Sequence, residues 1–299
     1  MRISLAGHEP WQHSNDYLYH YTDTGGLIGI LSNTRIWLTN AGFLNDTEEL
    51  SFGACEASEL LQEKAAETES IDGASDTNLA VANSLRRMSS SIETISAPDG
   101  PSFEFPFVAS FSQARDDLSQ WRGYSANGGY CIAFHKKTLQ KYLVPADTES
   151  FAARGSNIPS LRPVNYGLQA REYLREEVET FKNALLDLPN RSSSDDSDTY
   201  YLVKHLLKPA LVLTKHPAFQ AEQEWRIYQI DPIAGVKFRS SPLGPVPFTE
   251  VTFLPEAVAE VMVSPGDSPH RRKRAAEELL KHYGYTSTQV TLSSAPFVG

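Results

Sequence analysis

Alternating apolar and polar positions, broken by turn residues, divide this chain into short strands and amphipathic helices. Residues 17–22 (YLYHYT) alternate aromatic positions and read as a strand. Leu27, Ile30 and Leu31 follow at i, i+3 and i+4, the spacing of a helix that Asp23 or Thr24 can cap. Residues 35–39 (RIWLT) read as a second strand, and residues 40–46 as a turn-rich loop. Asp46 or Thr47 can cap a helix reaching to about Glu67. Helical spacing resumes over 79–94 after a polar insertion at 68–78, and APDGP at 97–101 is a break. FVASF (107–111) and YCIAF (130–134) are apolar enough to be inner strands, with a short helix over 116–121 between them.

The second half continues the mixture. A loop over 145–159 leads to a short strand at 163–166 and a helix over 170–186. A solvated loop at 191–198 precedes a helix over 200–213. Further strands are predicted at 223–230, 236–238, 250–253, 259–263 and 289–292. The last long helix starts at Ser268-Pro269, with Ser268 as its cap. Strands and helices mix without regular βαβ alternation, so the expected class is α+β. The expected organisation is an arm over 1–16 and one domain over 17–299, with helical insertions at about 47–96 and 170–213.

The richest stretch is HPAFQAEQEWRIYQI, residues 216–230. Period-two alternation along a strand would set Glu222, Glu224 and Arg226 on one face, beside Trp225. Two carboxylates and a guanidinium together mean either a satisfied ion-pair ladder or a site.

Composition narrows the choices. The 299 residues have a formal net charge of −10, so no overall field draws the chain to nucleic acid or anionic membrane. The basic run His270–Arg274 is the one local exception. Cys55 and Cys131 lie apart in apolar segments and read as reduced core residues. No signal peptide or membrane span is visible, which makes the cytoplasm the expected location. Walker A, Rossmann and HExxH patterns are absent, and no Cys/His cluster suggests a metal. Glu222 and Glu224 alone are too few ligands for a metal-dependent nuclease.

Polar residues gather at three predicted strand ends: Tyr19-His20-Tyr21-Thr22; Ser110-Phe111-Ser112 with Gln120, Trp121 and Tyr124; and Glu222-x-Glu224-Trp225-Arg226. A carboxylate, an aromatic ring and an imidazole are what a reaction through a ribosyl cation would use. HYT, IWLTNAGFLND, SFS followed by QWRGYS and GGYCIAF, and finally ExEWR resemble the bacterial domain-of-unknown-function family 2971, from about Leu18 to Val263. That family brings no activity. His-x-Thr, a Gly-rich helix start and a late Glu-x-Glu strand also resemble the ADP-ribosyltransferase fold of the His-Tyr-Glu branch and the nucleic-acid-modifying branches.

This second resemblance implies a split, mostly antiparallel sheet with inserted helices and NAD as substrate. It implies that Glu224 is the catalytic acid, with Glu222 preceding it. His20 would bind the nucleotide, with Tyr21 and Thr22 beside it. Trp121 or Tyr124 would stack the nicotinamide, and Glu222 or Arg226 would help to position the acceptor or the pyrophosphate. The acceptor, nucleic acid, protein or a small molecule, stays open, and a toxin or phage-defence role follows from fold analogy alone. The rival reading is a non-catalytic sensor domain binding nucleotide or nucleic acid. The plain alternatives are an edge-strand salt bridge for Glu224 and Arg226, a core imidazole for His20 and a core indole for Trp121.

Overall fold

The computed structural model describes residues 16–44, 47–70, 75–95, 105–125, 128–145, 158–187, 203–232, 235–242 and 244–296. In chain order the elements are β1 (Tyr17–Thr22), α1 (Thr24–Asn33), β2 (Arg35–Asn40), α2 (Thr47–Glu69), α3 (Asp76–Ile95), β3 (Phe107–Ser112), α4 (Leu118–Tyr124) and β4 (Tyr130–His135). Next come α5 (Lys136–Tyr142), β5 (Val144–Pro145), β6 (Ser160–Pro163), β7 (Asn165–Tyr166), α6 (Gly167–Asp187), α7 (Lys208–Leu211) and β8 (Thr214–Lys215). The chain ends with β9 (Glu224–Gln229), β10 (Lys237–Ser241), β11 (Gly244–Thr252), β12 (Val258–Val263), α8 (Pro269–His282) and β13 (Gln289–Leu292). These elements pack as two compact units, Met1–Asn33 with Phe111–Lys141 and Leu254–Gly299, and Thr34–Ser110 with Tyr142–Phe253.

In the first unit β1, β4, β12 and β13 lie side by side; β12 and β13 run parallel and the other pairs antiparallel. Alternation places Tyr19 and Tyr21 with Cys131, Ala133 and Met262 on one face, covered by Trp121. Leu18, His20, Ile132, Phe134, Val261 and Val263 share the other face. Both faces are covered, which is why YCIAF is apolar throughout. Asp23 caps α1 by accepting from the Gly26 amide at 2.7 Å. Position 26 must be glycine, because a Cβ there would sit 1.9 Å from the Thr22 hydroxyl. Gly129 is fixed as firmly: its Cβ would lie 2.2 Å from the Ser125 carbonyl and 2.4 Å from that of Thr22. Beyond β13 the chain is clasped by Asp116, which accepts from the Ser294 amide at 2.7 Å and from the Trp121 indole at 2.8 Å.

In the second unit β10, β11, β2 and β3 pair antiparallel in that order, and β9 pairs with both β3 and β6. β7 and β8 form a separate parallel pair. The long helices α2, α3 and α6 close on a core that includes Leu61, Leu85, Ile92, Leu174, Phe181 and Leu207. Full burial of side chains of this size contributes about 1.5–3 kcal/mol each, so this core carries much of the unit's stability. Arg171 of α6 ties down the outer face of α2 by pairing with Glu56, Glu59 and Glu63.

Helices and strands mix as the sequence pattern predicts, and the pairing is mostly antiparallel. Several details differ. Glu222 is not on a strand: it ends a 3₁₀ turn, Pro217–Glu222, and β9 begins only at Glu224. Ser268 has a left-handed backbone (φ 50°) and makes no side-chain cap, although its carbonyl accepts from the Arg271 and Arg272 amides. Cys55 is exposed on α2, whereas Cys131 is buried. Of the helix expected over 200–213, the described part is a π-helical turn, Val203–Leu207, followed by the four-residue α7 with Pro209 in its first turn. The arm at 1–15, the cap at Asp46, the break at 97–101 and the loop at 191–198 lie outside the described residues.

Candidate functional site

The polar cluster of the second unit forms where three short elements meet. β7 and β8 run parallel with Tyr166 opposite Lys215, so both side chains come from one side of that ribbon. The 3₁₀ turn then carries the chain back, and Gln223 (φ 45°, ψ 50°) reverses it into β9. On β9 the alternation puts Glu224 and Arg226 on one face, while Ile227 on the other face is fully buried. Covering both faces of the strand desolvates its charged side.

Glu224 is held from every direction. Arg226 grips it in a two-pronged pair, Nε to Oε1 at 2.7 Å and Nη2 to Oε2 at 3.0 Å. Lys215 Nζ lies 3.3 Å from Glu224 Oε2 and 2.6 Å from Glu222 Oε2. The Ser110 hydroxyl also bonds to Glu224. The backbone N–H of Glu224 donates to Tyr166 Oη at 2.8 Å, and Arg226 Nη1 donates to the Val212 carbonyl at 2.7 Å. Burial pushes the Glu224 carboxyl up, but Arg226, Lys215 and Ser110 outweigh it and hold the group below the usual carboxylate value. Burial pushes the Tyr166 phenol up to about 12, so it stays neutral.

Access separates the two acids. The Glu224 side chain is 6% exposed, but that of Glu222 is 22% exposed. Ser110 is exposed as well. The cluster is therefore closed around Glu224 and open at Glu222 and Ser110. Chemically it offers one carboxylate that solvent reaches, backed by a second that is fixed.

The remaining predicted residues belong to the first unit, and β1 sorts them by face. His20 and Thr22 project to one side, and His20 packs on Phe111 with ring centroids 5.4 Å apart. Tyr21 projects to the other, edge-on to Trp121 at 4.8 Å. The Tyr21 hydroxyl donates to the Ala114 carbonyl at 2.8 Å and accepts from the Asp117 amide at 3.1 Å. Trp121 is buried, its indole N–H spent on Asp116. A strand's period of two thus keeps Tyr21 from sharing a pocket wall with His20 and Thr22. Of the two candidate rings only Tyr124, at the end of α4, is exposed. Among the described residues no group of three or more His, Cys, Asp or Glu is placed to hold a metal ion, and no helix is long and apolar enough to cross a membrane.

Residues 120–227 match the family described as Protein of unknown function (DUF2971). The DUF2971 match contains Trp121, Tyr124, Lys215 and the whole Glu222–Arg226 stretch, and it leaves HYT and IWLTNAGFLND outside. No curated protein and no solved structure matches the chain. The resemblance to the ADP-ribosyltransferase fold thus finds no counterpart in these comparisons.

Sequence reasoning missed Lys215 and Tyr166. One signal was present: Lys215 closes the apolar run ALVLT, where a lysine next to buried strand residues needs an acidic partner. Nothing in the sequence marks Tyr166, because its role arises only when β7 docks beside β8.

Proposed function

We propose that the second unit carries the carboxylate site of an ADP-ribosyltransferase-like enzyme that uses NAD as its donor. The observation that supports this reading is the pair of acids sharing Lys215, one closed and fixed, the other open to solvent. In the reaction the bond from the ribose C1′ to nicotinamide breaks, and its electron pair leaves with nicotinamide. The acceptor's lone pair, or that of water, closes on C1′, and the acceptor's proton is released. A cation develops on the ribose, and an ionised carboxylate beside it lowers the barrier. Glu222 is the acid that reaches the ribose in this reading. Glu224 fixes Lys215, and Lys215 in turn aims the open acid.

The experiment is nicotinamide release from NAD by the purified chain, with water as acceptor. Glu222→Gln should abolish release with folding intact. A wild-type chain that releases none overturns the reading. His20, Tyr21, Thr22, Trp121, Tyr124 and Arg226 are tested one by one: a variant that folds and leaves KM for NAD unchanged removes that residue from the nucleotide-binding set.

The closure of Glu224 favours a second reading, a domain that binds a nucleotide or nucleic acid without turnover. It predicts a higher melting temperature with NAD or ADP-ribose but no nicotinamide release.

A further inference from the structure

The outer face of the β10–β11–β2 sheet concentrates aromatic and basic side chains in a chain whose net charge is −10. Register puts Trp37 opposite Glu250, Thr39 opposite Phe248, Phe248 opposite Lys237 and Val246 opposite Arg239, all on this one face with Arg35. Trp37 is 50% exposed. A single exposed aromatic is ordinary, but this ring is positioned. Its indole N–H donates to Glu250 Oε1 at 3.1 Å, and its ring packs against the buried Phe248 with centroids 4.5 Å apart.

Three cations surround it. Arg35 and Lys237 reach Glu250 at 2.7 and 2.9 Å, and Arg239 reaches the Thr39 hydroxyl at 3.2 Å. Glu250 is the only acidic residue that the register assigns to this face of the three strands, so the face keeps an excess of positive charge. Lys237 is exposed, and Arg35 and Arg239 are half-exposed. In the run His270–Arg274, by contrast, Arg272 bonds to Ser264 and to the Asp267 carbonyl.

We propose that this face binds single-stranded nucleic acid, with a base stacked on Trp37 and phosphates on Arg35, Lys237 and Arg239. A positioned, half-open indole ringed by cations matches the two repeating features of a single strand, flat bases and spaced negative charges. A duplex offers the charges without free base faces. The surface lies outside the Glu222–Glu224 cluster, and the inference stands whether or not that cluster turns over NAD.

The test is fluorescence anisotropy of the full-length chain with labelled oligothymidylate and oligouridylate, against a matched duplex. One or both single strands should bind more tightly than the duplex, and the two arms separate DNA from RNA. With three phosphates neutralised, log affinity should fall with log salt with a slope of about −2. Trp37→Ala should weaken binding roughly ten-fold or more, and Trp37→Phe should restore part of the loss. Lys237→Glu with Arg239→Glu should abolish binding with an unchanged circular dichroism spectrum. Absence of single-strand binding overturns the proposal. So does equal affinity for duplex, or binding that Trp37→Ala and the double charge reversal both leave intact. A dimer that Trp37→Ala dissociates, or anionic vesicles bound in place of oligonucleotide, overturns it too.

Discussion

Two glutamates of the second unit each sit between an arginine and a lysine, and their surroundings give them opposite meanings. Glu224 lies between Arg226 and Lys215, whose side chains are both 3% exposed. Glu250 lies between Arg35 and Lys237, which are 34% and 44% exposed. Burial pushes both carboxyls up, and in both the neighbouring cations more than offset it, leaving them below the usual value. What differs is the consequence of losing a partner. Around Glu224 little solvent is at hand to replace it, whereas Arg35 and Lys237 turn readily to water. A similar trio is thus structural framework in one place and adaptable surface in the other.

The sharpest way to break the comparison is to delete each acid. Glu224→Ala removes the carboxylate that the buried Arg226 guanidinium grips, while Lys215 keeps Glu222, and should lower stability by about 3–5 kcal/mol in urea denaturation. Glu250→Ala should cost no more than about 1 kcal/mol, and that difference should shrink at high salt. Equal losses at the two sites would show that burial is not what separates them.

Acid sharpens it further. The folded Glu224 carboxyl titrates below its ordinary value of 4.5. Its contribution to stability is therefore complete above 4.5 and is lost as pH falls through the folded value. Stability measured along that descent should drop more steeply in the wild type than in Glu224→Gln. The same comparison with Glu250→Gln should show a smaller difference, because its partners are open to solvent.

Much of the fold is legible in the sequence where one physical signal dominates. The aromatic alternation of β1, the i, i+3, i+4 spacing of α1 and the apolar runs of β3 and β4 are each decided locally. Legibility fails where a backbone conformation breaks the pattern. Glu222 reads as a strand residue because Glu-Gln-Glu alternates, yet the left-handed Gln223 cuts it off from β9. Ser268 reads as a cap because Ser-Pro is a good start signal, but its φ of 50° is not the extended backbone of a capping residue, and its side chain makes no cap bond. Cys55 sits in an apolar segment on the outward face of α2, which periodicity over so small-residue a stretch does not resolve. The site was half legible. Glu224 and Arg226 stand out by type and spacing, while Lys215 and Tyr166 join them only through the pairing of two-residue strands distant in sequence.

Gln223 has one more consequence. A residue bearing a Cβ adopts the left-handed region at a cost of roughly 1–2 kcal/mol. Gln223→Gly should relieve part of that strain and raise the melting temperature slightly, with both acids kept in place. A β-branched residue there, Gln223→Val, should resist the conformation and swing Glu222 out of reach of Lys215. The spacing between the two carboxylates can therefore be tuned like a dial at one uncharged position, with neither acid altered.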